Sequence, residues 1–325
     1  MKDSYDNCKS KSYMKYIHQL NCLIVLSIAA YGCDNANKQP VPAPAAGTAK
    51  QMETVSGKAA KPEEPALAEV HYHFEYKKVW SAGDSFSGNA HKDILCYLNR
   101  VDEKHLKRLD SFIVPDLYDR KPEDYMPFPA YSESLKDIRK VIIFSYPTQA
   151  FAAYEQGKRI ISGPTNMGKK ASRTPTGLFF CNWKSKETKS TVNEEWILKW
   201  NFNVSNMGGV GFHQYDLPGY PASHSCMRLL EEQARFLYGW ADQWKLSASD
   251  QLLEKGTPVI IYGAYPFGQP RPWFALTGNA HALDISEEQL NELVKPYLEE
   301  IMAAQQARGA SEANASSVTN TQTVL

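Results

Sequence analysis

Residues 211–229 read Gly211-Phe212-His213-Gln214-Tyr215-Asp216-Leu217-Pro218-Gly219-Tyr220-Pro221-Ala222-Ser223-His224-Ser225-Cys226-Met227-Arg228-Leu229. One cysteine, two histidines and an arginine gather around a turn rich in proline and glycine. These are the parts of a thiolate acyl-transfer site. The thiolate is the nucleophile, an imidazole can take the thiol proton, and backbone N–H groups can receive an oxyanion. No other stretch of the chain concentrates reactive side chains so closely.

Working outward, the chain around this stretch reads mainly as strands. Val141-Ile142-Ile143-Phe144 is a buried apolar run, and Trp196, Leu198, Trp200 and Phe202 alternate with more polar neighbours as one face of a half-buried strand. Short strands separated by turns predict a mainly β (α+β) domain. One helix is expected after the cysteine, over Leu229–Trp244, because Leu230, Ala234, Leu237, Ala241 and Trp244 recur at helical spacing. Its N-terminal dipole would then favour a thiolate at Cys226. A second, charged amphipathic helix is predicted over Glu287–Gln306, followed by a disordered tail.

His213, followed by Ser223-His224-Ser225-Cys226-Met227-Arg228, resembles the signature of the L,D-transpeptidase catalytic domain (YkuD type), bacterial enzymes that remodel peptidoglycan. The likeness extends along the chain. Val141-Ile142-Ile143-Phe144, Ala150-Phe151 and Gly157-Lys158-Arg159-Ile160-Ile161-Ser162 resemble the family's opening strands. Gly168-Lys169 and Thr174-Pro175-Thr176-Gly177-Leu178-Phe179 resemble its TPxG loop, and Gly256-Thr257-Pro258-Val259-Ile260-Ile261 its closing strand. Two departures stand out. Ser225 occupies a position where the family usually has Gly, and the spacer between His213 and Ser223 is short, as in one branch of the family. If the Ser225 position needs a positive φ, Ser costs about 1 kcal/mol over Gly there.

The resemblance implies a β-sandwich or barrel with one helix after the Cys motif. It implies Cys226 as nucleophile, His213 as the base, oriented by a backbone carbonyl, and His224 shaping the pocket and helping to receive the oxyanion. Arg228 would grip a substrate carboxylate, with Ser223 and Tyr215 as secondary substrate-side candidates. Asp216, three residues after His213, is an alternative orienting group. A metal held by His213, His224 and Cys226 is a competing reading, opposed by the lack of a carboxylate at ligand spacing, and the thiol chemistry needs no cofactor. The implied substrates are peptidoglycan stem peptides. Cys226 would expel D-Ala from a tetrapeptide, and a neighbouring side-chain amine would capture the thioester as a 3–3 cross-link. An L,D-carboxypeptidase, a hydrolase releasing peptidoglycan-bound groups and a non-catalytic peptidoglycan-binding lipoprotein are the other readings.

Lys and Arg balance Asp and Glu at 36 each, so no bulk field points to nucleic acid. Of the six cysteines, Cys8, Cys22 and Cys33 fall in a targeting segment; Cys96 and Cys181 are expected as buried thiols in preference to a disulfide. The run from Leu20 to Tyr31 is too short to span a bilayer and is sized for a signal-peptide core. It ends at Ala30-Tyr31-Gly32-Cys33, which resembles a relaxed lipobox with Cys33 as the lipidated residue and implies a periplasm-facing, membrane-anchored protein. The expected organisation is a lipoprotein signal peptide over 1–33, a disordered Pro/Ala/Lys tether over 34–66 and a small N-terminal region over 67–135. The catalytic domain follows over 136–265 and a C-terminal extension over 266–325. The cadence of Leu98-Asn99-Arg100 and Ile113-Val114-Pro115 resembles the second half of a LysM peptidoglycan-binding module; a small helical cap is the alternative.

Overall fold

Val141–Ser145 is buried at every position, which requires a strand covered on both faces. A computed structural model, which describes residues 68–76, 89–190 and 192–321, supplies both covers. The signal-peptide core, Cys33 and the tether lie outside the described residues.

The N-terminal part begins with strand β1 (Tyr72–Tyr76), helices α1 (Asn89–Asn99) and α2 (Glu103–Leu106), and strand β2 (Ser111–Pro115), which pairs antiparallel with β1. Asn99 pins helix to strand: its Nδ2 donates to Ile113 O and its Oδ1 accepts from Ile113 N, both at 2.8 Å. Cys96 is a buried free thiol in this unit, as Cys181 is in the next.

The remaining strands are β3 (Val141–Ser145), β4 (Ala150–Glu155), β5 (Lys158–Pro164), β6 (Gly177–Phe180), β7 (Lys184–Lys189), β8 (Ile197–Ser205), β9 (Val210–Gln214) and β10 (Met227–Leu229). Helix α3 (Glu231–Trp240), the short pair β11 (Lys245–Leu246) and β12 (Leu252–Glu254), and β13 (Pro258–Tyr262) follow. They form a five-stranded sheet in the order β5-β4-β3-β13-β6 and a four-stranded sheet in the order β10-β9-β8-β7. Pairing is antiparallel except β3 with β13 and β9 with β10. Neither sheet closes on itself, so the architecture is a sandwich and the barrel alternative falls away. The edge strand β7 carries Lys184, Lys186 and Lys189, charges that blunt edge-to-edge association.

Alternation explains the continuous burial of β3. Ile142 and Phe144 enter the core between the sheets with Phe202, Phe212 and Leu237. Val141 and Ile143 pack on the opposite face with Phe128, Leu290, Val294 and Ile301. The last three lie on α4 (Glu287–Val294) and α5 (Leu298–Thr321), so the C-terminal helices cover the outer face of the five-stranded sheet. The single helix expected over Glu287–Gln306 is split by a 3₁₀ turn, Lys295–Tyr297, containing Pro296, whose ring has no N–H for the helix ladder. The helix then runs on to Thr321, through residues expected to be an unstructured tail.

The helix after the cysteine is shorter than its periodicity predicts. Residues 227–229 are taken as strand β10 by β9, and Leu230 becomes the N-cap. Alternation in β8 holds through Trp200, where a bulge with φ of 54° interrupts the register.

Candidate active site

The parallel pairing of β10 with β9 builds the site. Its register sets Met227 beside Phe212 and Arg228 beside His213, so Cys226, one residue before β10, arrives at the strand that carries His213. Both line one cleft of about 660 Å³ with Ser223, His224, Tyr215 and Arg228. The cleft therefore brings together the six catalytic and substrate-side residues expected from sequence, and Cys33 lies outside the described residues.

Ser225 has a φ of 88°, so this position does use the left-handed region that favours Gly. Just upstream, the Ser223 hydroxyl donates to Cys226 O at 2.6 Å and ties the turn together. Ser225→Gly is expected to raise stability by about 1 kcal/mol, a shift of about 2 °C in Tm for a domain of this size; thermal unfolding checks it. An unchanged or lowered Tm would show that the serine side chain offsets the strain.

Cys226 is half-buried. Its thiol donates to Gly209 O at 3.5 Å. Burial pushes the thiol above its ordinary value, against the opposing pull of a backbone hydrogen bond with Gly211 and the charge of Arg228. The helix dipole invoked from sequence is not available, because β10 separates Cys226 from the first turn of α3. The resting group is the thiol, and it needs a base at the moment of attack.

His213 is buried, with Nδ1 2.9 Å from Gln214 O. A carbonyl only accepts, so Nδ1 carries the proton and Nε2 keeps a free lone pair. Burial lowers its pKa to about 4, against the raising effect of the Gln214 carbonyl, with Arg228 adding to the depression. The ring is therefore a neutral base at physiological pH. Asp216 does not orient it: that carboxylate pairs with Lys104 at 2.6 Å.

His224 lies in the bend that precedes Cys226. Its Nε2 is 2.7 Å from Lys169 Nζ, and its ring contacts Trp196 at 5.5 Å between centroids. Arg228 stacks its guanidinium over Tyr215 at 4.6 Å, and Nη1 reaches Asp216 O at 3.4 Å. Sequence reasoning named Lys169 and Trp196 only as landmarks of a loop and a strand face. Trp183, Lys189 and Trp196, from β7, β8 and the segments flanking them, complete one wall of the cleft. Of these only Trp196 carried a signal in the sequence, the period-2 pattern, which does not say which face meets a site. Among the described residues, no group of three or more His, Cys, Asp or Glu side chains is placed to hold a metal ion.

A thiol and a neutral imidazole lining one cleft on the four-stranded sheet are the parts of a cysteine-dependent catalytic domain. The family whose model matches is YkuD, the L,D-transpeptidase catalytic domain, over residues 139–261. That segment, less than half of the chain, is similar to the YkuD-type catalytic domain. Among solved structures, an L,D-transpeptidase from Stackebrandtia nassauensis aligns at 18% identity over 55% of this chain and 69% of its own, with a TM-score of 0.33. One from Mycobacterium smegmatis aligns at 18% over 38% and 59%, TM-score 0.31. A mutant of the Enterococcus faecium L,D-transpeptidase aligns at 23% over 38% and 50%, TM-score 0.31. The chain thus spans between half and about two-thirds of the length of these solved proteins. No curated protein matches it.

Proposed function

We propose that the protein is a peptidoglycan L,D-transpeptidase that forms 3–3 cross-links by cysteine acyl transfer. The observation that carries this is the free Nε2 lone pair of His213 in the same cleft as the half-buried Cys226, inside the YkuD-matched segment. His213 takes the thiol proton as Sγ attacks the carbonyl of the third, diamino-acid residue of a stem tetrapeptide. The carbonyl oxygen becomes an oxyanion, received by the Cys226 backbone N–H, with His224 shaping the pocket. The amide breaks, D-Ala leaves with the proton from His213, and a thioester remains. The side-chain amine of a neighbouring stem then attacks the thioester, gives its proton to the thiolate through His213, and forms the new amide. The guanidinium of Arg228, held against Tyr215, holds a carboxylate of the donor stem.

The test is incubation of the purified protein with defined tetrapeptide muropeptides and mass spectrometry of the products. A cross-linked dimer with loss of D-Ala is expected. A tripeptide alone would move the assignment to an L,D-carboxypeptidase, and unchanged muropeptides with retention on sacculi to a binding lipoprotein.

The proposal extends to location. Lipid on Cys33 would anchor the protein facing the periplasm, with residues 34–66 as a tether reaching roughly 100 Å when extended. The β-α-α-β unit ending at Pro115 would serve as a LysM-like module that binds peptidoglycan. Metabolic labelling with a fatty acid is expected for the natural chain and lost in Cys33→Ser; equal labelling of both would remove the anchor.

A further inference from the structure

The two imidazoles of the cleft differ in what their second nitrogen does. His213 has its Nδ1 proton on a carbonyl and its Nε2 free. His224 has its Nε2 against Lys169 Nζ at 2.7 Å. An ammonium has N–H donors and no lone pair, so this contact has one polarity: Lys169 donates and Nε2 accepts. The proton of a neutral His224 then sits on Nδ1, an atom buried with no protein partner. Burial lowers the pKa of His224, and the charges of Lys169 and Arg228 lower it further, so the ring stays neutral.

The placement of Lys169 is built in. Lys169 N donates to Ser223 O at 3.0 Å, and the N–H groups of Ala222 and Ser223 both donate to Met167 O at 3.1 Å. The segment 167–169 is thereby zipped alongside the residues that precede Cys226. Gly168 N donates to Thr174 Oγ1 at 2.9 Å, and Tyr146 Oη donates to Gly168 O. A Cβ at Gly168 would stand 2.2 Å from Ser172 O, so the backbone passes where only glycine fits. The Thr174-Pro175-Thr176-Gly177 loop thus holds Lys169 against the second histidine.

We infer that Lys169 is a positioning residue that engages the Nε2 lone pair of His224, fixes its proton on Nδ1, and so leaves His224 a hydrogen-bond donor only, with His213 as the sole base for Cys226. This rests on the transpeptidase reading for its catalytic consequence, but the tautomer can be read without any activity.

The experiment is ¹⁵N NMR of the full chain labelled at histidine, at neutral pH, with His224 assigned by its loss in His224→Gln. In the natural protein His224 is expected as the Nδ1–H tautomer with an acceptor-type Nε2. In Lys169→Met the ring is expected to shift toward Nε2–H or to become protonated, and kcat to fall about 10²-fold, the cost of a misplaced site group. Lys169→Arg, which keeps a cationic donor, is expected to restore the Nδ1–H pattern and part of kcat. A natural protein with His224 as Nε2–H, or a Lys169→Met spectrum unchanged from it, would overturn the inference. If Lys169→Met does not fold, the natural spectrum and Lys169→Arg still decide it. The expected tautomer with no cross-linking by any form would leave the role of Lys169 standing and remove the transpeptidase reading instead.

Discussion

Cys226→Ala is expected to fold as the natural protein does and to lose turnover by about 10⁴-fold or more, because removing a covalent nucleophile removes the pathway and not one contribution to it. The substitution is small and the site tolerates it: Cys226 is half-buried and its thiol makes only backbone hydrogen bonds, a long one to Gly209 O and one with Gly211. The same residue should be acylated by a carbapenem-type β-lactam, giving a mass adduct on the natural protein and none on Cys226→Ala. Cross-linking at the natural rate by Cys226→Ala, or an adduct that survives the substitution, would place the nucleophile elsewhere.

The second large effect belongs to His213. His213→Ala should reduce kcat/KM by roughly 10²–10⁴-fold, the usual range for a general base. The pH profile carries more information than the loss. With the ring's pKa lowered to about 4 by burial and the Cys226 thiol raised by burial, the resting pair is neutral. It becomes charged only during attack. The acid limb of kcat/KM should therefore fall near pH 4 and not near the ordinary imidazole value of about 6.5. No inflection is expected from pH 5 to 8. A profile rising through pH 6–7 would mean that the ring is more solvated in solution, or that a thiolate–imidazolium pair exists at rest.

The same shift acts on stability. A histidine whose folded pKa is depressed binds fewer protons in the folded state than in the unfolded one. Its contribution is complete above about pH 6.5 and is lost as pH falls toward 4. Acid unfolding of the natural protein should accordingly begin in that window, and less steeply in His213→Ala.

The site was legible in residues and less so in electrostatics. Cys226, His213 and Arg228 stood close together in the chain, so a single turn could gather them and no long-range contact had to be guessed. The protonation state was not legible, because it depends on burial. A thiol poised at a helix N-terminus was the natural reading of an apolar periodicity starting at Leu229. The structure instead spends residues 227–229 on pairing with β9, which lifts the helix away from the sulfur. Lys169 shows the other limit. Fifty-five residues separate it from His224 in sequence, and nothing in a glycine-lysine dipeptide says which partner it will meet.

By itself the sequence determined the strand-rich character of residues 136–265, the buried run at β3 and the turn that must bring His213 to Cys226. Local patterns of apolarity and backbone preference suffice for those. The tertiary structure alone decided which histidine keeps a free lone pair, that Ser225 adopts a left-handed backbone, and that the C-terminal helices cover the sheet's outer face. Those outcomes depend on which groups lose water and which distant partners replace it, and desolvation is a property of the packed chain.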